Sequence, residues 1–261
     1  MPTPSKIYQG ANLIYDGSGG GGGTIPESVT GLTAWWDPSD ASTITASSGY
    51  VTKLNDKSGM RNHLYQTSTY GPITGTRTQN GLNVLDFFAS TRACLYTDTF
   101  SQPQPLTIFV VAATDTLTVD SFGKSCISGW SGTSPAANAG CAIAQAGTLG
   151  QMQIYAGGSS TTLQYVTANT ATQLTAVFNG ASSHLDMNGT ASANTNPGSN
   201  GYGYGSRFML GQVVYEYGAG LAGYDAAWNG WIGEVLIYNG VVSPGDRLDI
   251  EAYLKAKWAT G

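Results

Sequence analysis

Hydrolysis of a glycosidic bond needs two carboxyl groups facing one bond, so the acidic residues are the first place to look for chemistry. The chain holds only four glutamates, Glu27, Glu216, Glu234 and Glu251, and no two fall within one strand's length. Its two histidines, His63 and His184, form no HExxH pair and supply a nucleophile triad poorly; isolated histidines of this kind more often serve structure. GAGLAG at 218–223 fits the GxGxxG dinucleotide pattern, but with 36 glycines in 261 positions a chance match is expected, and no βαβ pattern surrounds it. Gly123-Lys124-Ser125 resembles the end of a P-loop whose earlier glycine is replaced by Thr118. Asp37 with Asp40, and Asp56 in Asp-Lys-Ser-Gly, sit in turn-like sequence where aspartate hydrogen-bonds its own backbone; a calcium site is the sharper alternative, and no other cofactor is implied.

Aromatic side chains offer a second kind of chemistry. Tyr202, Tyr204, Tyr215, Tyr217, Tyr224, Trp228 and Trp231 are interleaved with glycines, and exposed rings stack on sugar faces or pack against another protein. The competing reading is that half or more of them fill the core. Cys94, Cys126 and Cys141 are an odd number without a CxxC pair, which reads as buried reduced thiols, with a disulfide between two of them as the alternative.

These residues must be carried by short strands. Segments 50–54, 82–88, 105–114, 151–155, 161–166, 172–178, 184–187, 206–211 and 231–238 are rich in β-branched and aromatic residues and separated by Gly, Asn, Ser and Pro clusters, the pattern of a sandwich or barrel. Asn188-Gly189 is a hairpin turn; the Asn-Gly-Thr sequon it also spells is set aside because no secretory signal is visible. One helix is predicted over 244–258, with Ser243 as cap, Pro244 at its first position, Asp246 at its third, and Ile250, Tyr253, Leu254, Lys257 and Trp258 on one face. At this length an all-β chain is routinely one domain.

Residues 6–17 contain Ile-Tyr-x-Gly twice, Ile7-Tyr8-Gln9-Gly10 and Ile14-Tyr15-Asp16-Gly17, followed by five glycines. Two short β-prone runs suit a strand-turn-strand, which is marginal alone and calls for support from a partner or from the rest of the chain. The sequence therefore divides into an anchor peptide (1–17), a Gly-rich linker (18–24) and a folded domain (25–261). Charged residues are 10% of the chain and the net charge is −5, which leaves little attraction for nucleic acid or anionic lipid. No apolar run is long enough to span a membrane as a helix.

GLTAWWDPSDASTIT, GYVTKLNDKSGMRNHLYQ, NGLNVLDF, PLTIFVVAAT and the terminal WNGWIGEVLIYNGVVSPGDRLDIEAYLKAKW together resemble the concanavalin A-like, LamG-type jelly-roll domains of bacterial surface proteins and tailed-phage virion proteins. The specific parts lie at the two ends: Trp36, Asp37, Ser39, Asp40 and Asp56-Lys57-Ser58-Gly59 in front, Gly233-Glu234 through Tyr238 and Lys257-Trp258 behind. The resemblance implies two curved antiparallel sheets packed face to face with a short C-terminal helix, and binding on the concave face or its rim loops. Hydrolases of this kind carry Glu-x-Asp-x-Glu on one strand, which this sequence lacks, so no catalytic residue is expected. The expected function is a non-enzymatic attachment or decoration protein on the surface of a tailed-phage virion, assembled in the host cytoplasm. It would be multicopy or homo-oligomeric, held to capsid or tail proteins through Ile7, Tyr8, Ile14 and Tyr15, and would contact host-surface polysaccharide through Tyr202, Tyr204, Tyr215, Tyr217, Tyr224 and Trp228. The alternatives are a bacterial surface or secreted glycan-binding module and, third, a glycoside hydrolase with atypical acids.

Overall fold

The computed structural model describes residues 6–9, 12–16, 26–66, 71–118, 124–130, 140–146, 150–157, 161–201, 207–217 and 220–261. In chain order the first strands are β1 (Lys6–Gln9), β2 (Asn12–Asp16), β3 (Leu32–Trp36), β4 (Ile44–Ser47), β5 (Tyr50–Leu54), β6 (Leu64–Gln66), β7 (Thr78–Gln79), β8 (Leu82–Asn83), β9 (Leu85–Phe87) and β10 (Leu95–Tyr96). The long strand β11 (Leu106–Thr114) follows, then β12 (Lys124–Trp130), β13 (Ala142–Ala146), β14 (Gln151–Tyr155), β15 (Thr161–Tyr165), β16 (Thr172–Phe178) and β17 (His184–Met187). The last are β18 (Phe208–Leu210), β19 (Gln212–Tyr217), β20 (Gly220–Ala227) and β21 (Gly230–Asn239), and the chain closes with helix α1 (Pro244–Trp258).

Two sheets carry the domain. One has nine strands in the order β15-β14-β13-β12-β18-β10-β6-β5-β4; the other has six, β17-β16-β11-β21-β3 with β9 added to the start of β21. Every strand pair described is antiparallel, so the expected two-sheet jelly-roll sandwich is the observed architecture.

The residues explain the layering. β11 reads LTIFVVAAT, buried at all nine positions, because both of its faces are covered. Ile108, Val110 and Ala112 point between the sheets with Trp36, Leu54, Leu64, Leu95, Ile154, Leu174 and Phe208. The alternate residues Phe109, Val111 and Ala113 join Trp231, Leu236, Tyr238 and the helix residues Ile250, Tyr253, Leu254 and Trp258 in a second core outside the six-stranded sheet. Burial of each such side chain is worth roughly 1.5–3 kcal/mol.

The helix is the one the sequence specifies. Ser243 Oγ accepts from the Asp246 N–H and donates to Asp246 Oδ2, and Pro244 opens the first turn. Ile250, Tyr253, Leu254, Lys257 and Trp258 are all buried against the sheet. Gly233 on β21 permits this docking, since a Cβ there would lie 3.2 Å from the Trp258 ring. Asn188 and Gly189, both at positive φ, turn the chain so that Met187 and Thr190 pair. Near the N-terminus β1 and β2 bond each other in a sheet of their own, with β2 beside α1. The side chains of Ile7, Tyr8, Ile14 and Tyr15 lie outside the described residues.

Candidate functional site

The two ends of the sequence motif meet beneath the helix. Glu234 is fully buried: Oε1 accepts from Trp35 Nε1 at 2.6 Å and from Tyr253 OH at 3.0 Å. Its Oε2 accepts from Trp258 Nε1 at 2.8 Å and pairs with Lys257 Nζ at 2.8 Å. Lys257 reaches on to Asp37 Oδ2 at 2.8 Å, where Lys57 also arrives at 3.0 Å. Burial by itself pushes the Asp37 carboxyl up, but the Lys257 and Lys57 ammoniums with the hydrogen bond from Ser39 outweigh it and hold it at about 2. Burial and the neighbouring Glu234 push the Tyr253 phenol well above its ordinary value, which keeps it a donor.

Calcium ligation is not what the three aspartates do. Lys57 bridges Asp37 and Asp40, at 3.0 and 3.3 Å, so an ammonium stands between the carboxylates a cation would need. Asp40 Oδ1 accepts from its own turn at Ser42. Asp56 is spent on four donors, the N–H groups of Trp35, Ser58 and Asn62 and the Ser58 hydroxyl. Among the described residues no group of acids, histidines and cysteines could hold a metal ion. Glu251 is committed in the same way as Glu234: it accepts from Thr175 and Arg247, and Arg247 also pairs with Asp186. Cys94 and Cys141 are buried thiols outside any disulfide, burial pushing the Cys94 thiol up to about 12.

Two rings of the expected aromatic platform, Trp228 and Trp231, are buried in the two cores. Trp228 is 2% exposed and its indole N–H points to the Trp231 carbonyl, so it fills the inter-sheet core instead of a ligand surface. Trp231 is buried in the helix-side core. Tyr202 and Tyr204 lie outside the described residues; Tyr215, Tyr217 and Tyr224 fall on the β19–β20 hairpin, their side chains outside the described residues. The last four residues of the GxGxxG match, 220–223, lie in β20.

A different set of rings converges on the outer face of the nine-stranded sheet. Lys53, Tyr65, Tyr96 and Met209 are consecutive register partners across β5, β6, β10 and β18. Because Leu54, Leu64, Leu95 and Phe208 point inward, alternation turns the row outward. Lys53 Nζ lies 5.6 Å from the Tyr65 ring centre and Arg207 Cζ lies 4.8 Å from that of Tyr96. His63 meets the Tyr65 ring edge-on, its Nδ1 accepting from the Asp56 N–H. Lys53, His63, Tyr65, Tyr96 and Arg207 are half-buried and Arg61 and Asp98 exposed, whereas Met209 is covered, so the row is open at β5, β6 and β10 and closed at β18. Burial and the charges of Lys53 and Arg61 push the His63 imidazole below its ordinary value against the pull of Asp56 and Asp98. Phenol hydroxyls, ring edges and cations on one rigid face can bind a polar, ring-shaped ligand; no paired carboxylates lie in the row to cleave one.

No protein-family model matches the sequence, and no curated protein matches it. Solved structures share the fold. Domain 4 of AbnA, a GH43 extracellular arabinanase from Geobacillus stearothermophilus solved with arabinotriose, aligns over 85% of this chain and 99% of its own at 14% identity and TM-score 0.57. The binding domain of Paraclostridial Mosquitocidal Protein 1 aligns over 87% of this chain and 52% of that one, at 12% identity and TM-score 0.56. Trypanosoma rangeli sialidase in complex with 2,3-difluorosialic acid aligns over 93% of this chain but 35% of its own, at 11% identity and TM-score 0.57. At these identities the similarity shows the fold alone, an antiparallel jelly-roll β-sandwich.

Proposed function

We propose that this chain is a non-catalytic carbohydrate-binding module whose ligand lies across Tyr65 and Tyr96. The observation that carries the reading is the cross-strand pair itself: two half-exposed tyrosines held in register on a sheet whose other face is the core. Sites on sheet strands are positioned by the scaffold and need no reordering when a ligand arrives. The fold is shared with an arabinanase domain solved with arabinotriose, which supports a saccharide as the ligand. A non-catalytic role is supported by Glu234 and Glu251, which are consumed in buried networks. Replacing Tyr65 and Tyr96 together by Ala should weaken binding on a glycan array at least tenfold while leaving the melting temperature within a few degrees. Unchanged binding would move the site elsewhere.

A second reading sets the module on a tailed-phage virion, in several copies, with residues 1–17 attached to capsid or tail proteins. It is favoured by β1 and β2, which form a sheet separate from the sandwich and precede a run of five glycines. Mass spectrometry of purified particles, with and without residues 1–17 in the encoded protein, tests it.

A further inference from the structure

His63 stands beside the tyrosine row with its tautomer already set. Its Nδ1 accepts from the Asp56 N–H at 3.0 Å, and a ring nitrogen that accepts carries no proton, so the neutral imidazole holds its one N–H at Nε2. The ring's position is fixed as well, because the loop that carries it is pinned along β3. Asp56 Oδ1 accepts from the Trp35 N–H at 2.9 Å, and the Lys57 N–H donates to the Trp35 carbonyl at 2.8 Å. Asn62 Nδ2 donates to the Thr33 carbonyl at 2.7 Å, and the Asn62 carbonyl accepts from Trp36 Nε1 at 2.8 Å. Asp56 Oδ2 closes the loop on the Asn62 N–H at 2.9 Å. On the open side the imidazole meets the Tyr65 ring edge-on at 6.3 Å, while Leu64 between them in sequence points into the core. Nε2–H meets no acceptor among the described residues. Both Asp56 oxygens are taken by their four donors, and Asp98 is exposed. An oriented, half-buried donor beside an aromatic ring suits an oxygen of a sugar lying on that ring.

We propose that His63 is a ligand-binding residue of this face, its Nε2–H donating to a hydroxyl or ring oxygen of the saccharide on Tyr65 and Tyr96, and that acid releases the ligand by protonating Nδ1. The inference rests on the carbohydrate-binding reading and adds a donor and a pH dependence. Protonation sets an N–H at Nδ1 against the Asp56 N–H, so two donors face each other and the ring must leave the position in which Nε2 serves the ligand. The titratable groups around the imidazole are the Tyr65 phenol on β6, Lys53 on β5, Asp56 and Arg61 on its own loop, and Asp98 beyond β10. Burial, with the charges of Lys53 and Arg61, pushes the imidazole below its ordinary 6.5 against the pull of Asp56 and Asp98. Release therefore falls on the acid side of that value. A ligand held by the neutral form depresses it further.

The test uses the full-length protein on a glycan array that includes arabino-oligosaccharides. His63→Asn keeps an acceptor for the Asp56 N–H but has no group where Nε2 stood, so it should lose about tenfold or more in affinity at about pH 7.5 with little change in melting temperature. Wild-type binding should fall at least about fivefold from about pH 7.5 to about pH 4.5, and the residual binding of His63→Asn should change less than about twofold over that range. Nitrogen-15 spectra of the imidazole, which need no ligand, should show the proton on Nε2 and a titration midpoint below 6.5. Should His63→Asn melt markedly lower, these spectra and the wild-type pH profile decide. A proton on Nδ1 of the neutral ring, undiminished binding by a folded His63→Asn, or wild-type binding that is flat or stronger in acid overturns the proposal. If one of these is seen while Tyr65→Ala/Tyr96→Ala abolishes binding, the face remains a glycan site and only the role of His63 falls. Full binding by the tyrosine variant, or no glycan bound by the wild type, removes the carbohydrate-binding reading and this proposal with it.

Discussion

Single residues decide how this fold responds to acid. Asp37 is buried yet ionised because two ammonium groups converge on its Oδ2, and its carboxyl is held at about 2 where an aspartate ordinarily titrates near 3.8. A carboxyl depressed in the folded state stabilises at pH above its unfolded value, and that stabilisation is lost as pH falls from about 4 toward 2. The loss should amount to about 2 kcal/mol at the low end, read as a fall in the urea midpoint between pH 5 and pH 2.5. Asp37→Asn removes the titration and should flatten this limb, although it is less stable at pH 7 because Lys57 and Lys257 lose a partner. Parallel slopes for the two proteins would assign the acid sensitivity to other groups. Trp36, wholly buried and stacked on Phe208 at 4.8 Å, shows the complementary case of a motif residue whose role is packing.

Among elements, α1 draws on both local sequence and tertiary contact. Ser243 is exposed, so its contribution is the cap alone: Ser243→Ala should lower stability by about 1 kcal/mol without altering the sheets, checked by thermal melts and far-UV circular dichroism. An effect near zero would mean that docking of Trp258 and Tyr253 holds the first turn unaided. The helix boundaries are legible from Ser243, Pro244 and the spacing of its apolar face because each cue acts within a few residues. Strands β5, β14, β16 and β17 are legible for the same reason, as their β-prone runs lie between turn residues. By contrast β6 and β10 have three and two residues, too short for any periodicity to register. The segments 212–217 and 220–227 lie outside the strand segments expected from sequence but pair as a hairpin, cross-strand bonding overriding the weak local preference of the glycine-containing 220–227.

For the whole molecule, both sheets and the helix are assembled from residues 26–261, and among the described residues no strand of the sandwich pairs with β1 or β2. A fragment of residues 25–261 should therefore melt in one cooperative transition within a few degrees of the full chain; a broad or absent transition would show that the hairpin beside α1 is part of the stable unit. By itself the sequence determined the all-β sandwich, the C-terminal helix with Trp258 on its buried face, and the reduced thiols Cys94 and Cys141. Composition, turn residues and helical spacing are local properties, and they are written in order along the chain. Only the tertiary structure decided that Asp37 and Glu234, 197 positions apart in the numbering, share Lys257, and that Trp228 belongs to the core. It alone also brought Lys53, Tyr65, Tyr96 and Arg207 onto one face. Strand order in a jelly roll is set by long crossovers between the sheets, so neighbours on a face are distant in sequence and carry no local signal of their meeting.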